Sequence, residues 1–145
     1  HIRGSFHAMK TTTDATNMQY AVIEGVSFGI LDGVNSILKV NDNFEKIFMV
    51  GGGSRSSFWI ELIASLLERN LSVCDQSEYG AALGVARLAM HVDKNIQDQN
   101  NIIKEIKISK EYKPKFDSID LLKKRYKIWK DLYSSNKKIA PTLLA

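Results

Sequence analysis

Lys46-Ile47-Phe48-Met49-Val50-Gly51-Gly52-Gly53-Ser54-Arg55-Ser56-Ser57-Phe58-Trp59 runs from an apolar stretch, through three consecutive glycines and four small or polar residues, into a helical pattern. Lys46 to Val50 reads as a short buried strand. From about Ser56 to Arg69 the chain reads as a helix with Trp59, Leu62, Ile63, Leu66 and Leu67 on its apolar face and Asn70 as its stop. Glycine permits positive φ and close approach to the backbone. The start of a helix adds unpaired N–H groups and the positive end of its dipole, a place for an anion. Such a turn also serves purely structural ends, so it does not define a site by itself. Two common phosphate loops are excluded. A P-loop ends in Gly-Lys-Ser/Thr, and the chain has no Gly-Lys pair. A dinucleotide fingerprint needs glycine where Ser56 stands, on the first strand of a doubly wound sheet.

Upstream lies a long helical pattern, about Asp14 to Lys39, with Thr13 or Asp14 as N-cap and Ile23, Val26, Ile30, Val34 and Ile37 at helical spacing. Gly25, Gly29 and Gly33 form a narrow stripe, predicting a face on which another element of the domain packs closely. Asn41-Asp42-Asn43 signals a turn. Downstream, Leu71-Ser72-Val73-Cys74 reads as a second strand and Tyr79 to His91 as a third helix rich in small residues. Strand, helix, strand and helix at these lengths predict a βαβ unit with parallel strands, hence an α/β fold. Lys94 to Asn101 reads as a surface loop, and Lys104 to Ser109 as an edge strand or extended arm. A final helix, Asp117 to Asn136, carries Ile119, Leu122, Tyr126, Trp129 and Tyr133 on one stripe and lysines elsewhere.

The 145 residues are 44% apolar and 25% charged, which suits one domain and excludes a disordered, collagenous or disulfide-built chain. Cys74 is the only cysteine, so a reducing compartment, the cytoplasm, is expected. The best apolar run, Ala21 to Leu38, is interrupted by Glu24, Asp32 and Asn35, so no membrane span is expected. His1 to Ala8, HIRGSFHA, reads as an expression scar ahead of a domain over residues 9–145. Residues 1–103 hold 8 basic and 11 acidic side chains and residues 104–145 hold 12 and 5, so the net +4 is −3 in the body and +7 in the tail. A nucleic-acid partner is therefore weakened for the body. For the tail, a lysine-bearing helix docked by its apolar stripe is the favoured reading.

Three motifs in fixed order narrow the reading: Glu24-Gly25-Val26-Ser27-Phe28-Gly29, then Val50 to Trp59, then Glu78-Tyr79-Gly80-Ala81-Ala82-Leu83-Gly84-Val85-Ala86-Arg87-Leu88-Ala89. Together they resemble the C-terminal part of a carbohydrate kinase of the FGGY family, over about residues 19–92 and more loosely over the last helix. The resemblance implies part of an actin-like, ribonuclease H-like ATPase lobe, with a parallel βαβ unit and a C-terminal helix. It implies phosphoryl transfer from MgATP to a sugar hydroxyl, with ATP or ADP and Mg²⁺ as cofactors of the complete enzyme. Gly51, Gly52 and Gly53 would let adenosine lie on the backbone, and Ser54 and Ser56 could hydrogen-bond ribose, base or α-phosphate. The family's catalytic aspartate and its sugar pocket lie upstream of these motifs, so no catalytic residue is assigned here and the chain reads as an inactive fragment. No His/Cys/Asp cluster has metal-ligand spacing, so no metal site is assigned. An apolar surface facing the missing parts would favour self-association. The rivals are another actin-like lobe of the glycerol- or gluconate-kinase type, and a non-enzymatic binding module with a basic tail.

Overall fold

A computed structural model describes residues 4–40, 44, 46–92, 107–115, 117 and 119–139, with backbone alone at 91 and 92. The expected turn at 41–43, the loop at 94–101 and residues 104–106 of the expected arm lie outside these residues.

Asp14 starts the first helix, α1 (Ala15–Leu38), by accepting the Asn17 amide at 2.7 Å, which satisfies one of the orphan donors of the first turn. Ser56 does the same for α2 (Ser57–Leu67), its hydroxyl accepting the Trp59 N–H at 3.3 Å. The α2 stop is not Asn70. Glu68 takes the left-handed conformation, φ 52°, and its N–H still reaches the Ala64 and Ser65 carbonyls.

The expected strand before the glycines is extended but irregular. Met49 N–H donates to Ser72 O and Ser72 N–H to Ile47 O, both at 2.9 Å, giving a single parallel bridge between Phe48 and Ser72. Ser72 belongs to β1 (Leu71–Cys74). The other edge of β1 pairs antiparallel with β2 (Ile108–Tyr112), with Leu71 opposite Tyr112 and Cys74 opposite Ile108. The parallel relation is thus confined to one bridge, and the regular two-stranded sheet is antiparallel. β1 leads through a 3₁₀ turn, Ser77–Tyr79, into α3 (Gly80–Val92). The last helix is α4 (Ile119–Ile139).

Two apolar clusters share α2. One joins Ile60, Ile63 and Ala64 to Leu71, Val73 and Tyr112 of the sheet; the other joins Leu62 and Leu66 to Phe28 and Leu31 of α1 and Leu122 of α4. Trp59 packs against both. The buried stripe of α1 is Ser27, Phe28 and Leu31, rotated from the expected one, so Val26 and Ile37 are exposed. Of the glycine stripe, only Gly25 faces a neighbour: a Cβ there would sit 3.9 Å from Trp129 Nε1, while Gly29 and Gly33 face open space. The expectation of close packing along all three therefore fails among the described residues: α4 meets α1 through Glu24, Phe28, Leu31 and Asp32 rather than along the glycines.

By length and composition α1 is long and apolar enough to cross a bilayer, contrary to the expectation from its interrupted run. Here it packs against α2 and α4, and both of its carboxylates have partners. Glu24 pairs with Arg125 at 2.9 Å, and Asp32 accepts the Tyr126 hydroxyl at 2.7 Å. Burial, and next the Asp32 carboxylate, push the Tyr126 hydroxyl above the usual tyrosine range, which keeps it a donor.

Candidate functional site

The glycine loop is built by three different demands. Gly51 has φ 84° and ψ −173°, a conformation that side-chain-bearing residues rarely adopt. Gly53 is held by packing, since a Cβ there would sit 2.8 Å from the Trp59 ring and 3.0 Å from the Met49 methyl. Gly52 is exposed, has no positive φ, and a Cβ there would meet nothing within 4 Å. The chain's own fold therefore has no need of glycine at position 52.

The loop's hydrogen bonds separate occupied groups from open ones. Gly51 N–H donates to Ser77 O at 2.8 Å, and Ser54 N–H donates to Gly51 O at 3.0 Å. The buried Ser54 hydroxyl donates to Gly51 O at 2.7 Å and accepts from the buried Ser77 hydroxyl at 2.8 Å. Its proton is thus committed to closing the loop. Ser56 is committed to its cap. By contrast, the N–H groups of Gly52 and Gly53, and those of Ser57 and Phe58 in the first turn of α2, have no acceptor among the described residues. The structure thus brings Gly51, Gly52, Gly53, Ser54 and Ser56 into one turn, with two backbone donors unpaired among the described residues ahead of a helix N-terminus.

Arg55 reaches Glu78 at 3.2 Å on the surface, a pair worth at most about 1 kcal/mol. Trp59 is a core residue, as its type and position suggested. Its indole N–H donates to Ser27 Oγ at 2.8 Å, and Ser27 in turn donates to Ile23 O at 2.7 Å. Ser77 was not legible as part of the loop, because only the fold brings it to Ser54 across 23 residues. Beside the loop lies a cavity of about 410 Å³, bounded by Val50, Ser77, Leu83 and Arg87 among others, but by none of residues 51–57. Cys74, half-buried at the end of β1, lines the same cavity. No cluster of three or more His, Cys, Asp or Glu among the described residues could hold a metal ion.

A glycine turn on the end of an extended segment, capped by a helix and joined to a small sheet, is here part of an actin-like sugar-kinase fold. The description "FGGY family of carbohydrate kinases, C-terminal domain" matches residues 1–92, and the chain belongs to this family. Within it, the chain is similar to xylulose kinases. The xylulose kinase of Staphylococcus epidermidis is 25% identical over 144 residues, 99% of this chain and 29% of that protein. That of Haemophilus influenzae is 35% identical over 74 residues, 51% of this chain and 15% of the relative. Among solved structures, a xyloylose kinase from Brucella ovis superposes with a TM-score of 0.78 at 26% identity, covering 95% of this chain and 28% of that one. The chain thus spans less than a third of the length of these relatives.

Proposed function

We propose that this segment supplies the adenosine side of the nucleotide site of an ATP-dependent sugar kinase, with a sugar hydroxyl, that of xylulose, as phosphoryl acceptor. The observation that carries the reading is the pair of uncapped amides at Gly52 and Gly53, on a turn where Gly52 serves no need of the fold itself. A flat base and ribose can lie against a backbone that bears no Cβ. The unpaired N–H groups and the α2 N-terminus favour an electron-rich oxygen or nitrogen of the ligand. Ser54 contributes by fixing the turn through Gly51 and Ser77 rather than by reaching outward. Ser56 acts at one remove, through its cap on α2.

Phosphoryl transfer needs a group to orient the attacking hydroxyl and others to hold Mg²⁺ and the β- and γ-phosphates. Three of the described carboxylates are already engaged by partners within the fold. Glu24, Asp32 and Glu78 are engaged with Arg125, Tyr126 and Arg55. No group of three or more His, Cys, Asp or Glu among the described residues could hold Mg²⁺, so no step through the metal is assigned to this chain. The 145-residue chain is accordingly expected to show no sugar-dependent ADP release.

Binding is tested by thermal unfolding with ADP. At about ten times Kd, ADP adds about 1.4 kcal/mol to stability. For a chain of this size that raises Tm by roughly 3–6 °C. Gly52→Val should abolish this rise while leaving the ligand-free Tm within about 2 °C of the parent. An equal response in both proteins, or none in the parent at any ADP concentration, would remove the loop from the nucleotide site.

A further inference from the structure

Gly52–Arg55 form one turn of 3₁₀ helix. Such a turn has three residues, so residues three apart stack on one face, about 6 Å apart along the axis. Gly52 and Arg55 are therefore neighbours on one face of the loop. At Gly52 that face is bare, since a Cβ there would meet nothing within 4 Å. At Arg55 it carries the only charged side chain between residues 51 and 57.

Arg55 is held lightly. One Nη2 bond of 3.2 Å joins it to Glu78 Oε1, and its other guanidinium N–H groups have no acceptor among the described residues. The Arg55 side chain is 66% exposed and that of Glu78 31%. An exposed pair with a single contact gives up little stability when it opens. Glu78 belongs to the turn Ser77–Tyr79, whose Ser77 closes the glycine loop, so the cation is tethered beside the loop.

We propose that Arg55 binds the nucleotide's α-phosphate: its guanidinium leaves Glu78 and takes a phosphate oxygen lying over Gly52. The inference rests on the nucleotide reading of the loop and adds to it one residue and one phosphate. The unpaired Gly52 and Gly53 amides and the spare guanidinium N–H groups are all donors. A phosphate suits that set, because it is anionic and offers several acceptor oxygens at once, whereas base and ribose are neutral. The α-phosphate is the first group past the ribose, hence the one within reach of a loop that holds adenosine. In exchanging a carboxylate for a phosphate, arginine keeps a charge-assisted bond and gains the chance of a bidentate one.

The test is an NMR titration of the 145-residue chain with adenosine, AMP and ADP. It measures the dissociation constants of the parent, Arg55→Gln, Glu78→Gln and the double variant. Both side chains are on the surface, so all four proteins should share a Tm within about 2 °C. Arg55→Gln should weaken AMP and ADP roughly 10-fold or more and leave adenosine unchanged. Glu78→Gln should tighten AMP and ADP roughly 2- to 5-fold, and only where Arg55 is present. Equal weakening of adenosine overturns the proposal, by placing the guanidinium on the base. Weakening of ADP without AMP overturns it too, by placing the guanidinium on the β-phosphate, as does a Glu78→Gln gain that survives without Arg55. If Arg55→Gln binds AMP and ADP as the parent does, Arg55 is excluded while the loop stays in the site. A parent that binds none of the three ligands removes the nucleotide reading along with the proposal.

Discussion

Replacing Trp59 with alanine is expected to cost about 3–5 kcal/mol, a large share of the roughly 5–15 kcal/mol that holds a domain of this size together. Trp59 belongs to both apolar clusters, so its removal opens a void between the α1–α4 side and the sheet side at once. It also strips the Ser27 hydroxyl of its indole donor. Because α2 starts at Ser57, the void lies at the root of the glycine loop, which should loosen along with it. Trp59→Phe keeps an aromatic ring but loses the N–H and part of the indole volume, so it should cost less, about 1–3 kcal/mol. Denaturant unfolding of the three proteins separates the two contributions. A Trp59→Ala midpoint indistinguishable from the parent's would show that the two clusters do not depend on one another through this ring.

The second large effect comes from an alanine scan of three adjacent glycines. Gly53→Ala places a methyl 2.8 Å from the Trp59 ring and 3.0 Å from the Met49 side-chain end. Met49 can move, but the ring is fixed by two clusters and the bond to Ser27, so overpacking of about 1–3 kcal/mol is expected. Gly51→Ala forces a side chain into φ 84°, at a cost of about 1–3 kcal/mol. Gly52→Ala meets no neighbour and no positive φ, and should be neutral or slightly stabilising through the unfolded chain. Unfolding free energies in the order Gly52→Ala above both others check this reading. Three equal losses would contradict the division of labour within the loop.

Much of this was legible because local chemistry dictated it. Asp14 and Ser56 have the side chains that cap helices, and they do so. The α2 face from Trp59 to Leu67 followed from its period, and the glycine turn followed from composition. What escaped was set by partners distant in sequence. β2 shows no inward–outward alternation, since every residue but Tyr112 is exposed, so its pairing with β1 left no pattern to read. The glycines of α1 promised a contact face, but Phe28 and Leu31 decide which side of the helix is buried. In the loop, sequence named the residues of the turn and missed the difference among them. That difference depends on Trp59 and Met49 lying under Gly53, and on Ser77 reaching Ser54.

The attachment of α4 to α1 bears on how the chain is made. Arg125 and Glu24 are 101 residues apart, and Leu122 closes the cluster that Phe28 and Leu31 begin. At a synthesis speed of about 5–20 residues per second, the first helix leaves the ribosome roughly 5–20 s before the helix that covers it. During that interval α2 alone covers the apolar face of α1, and the part that α4 closes stays open.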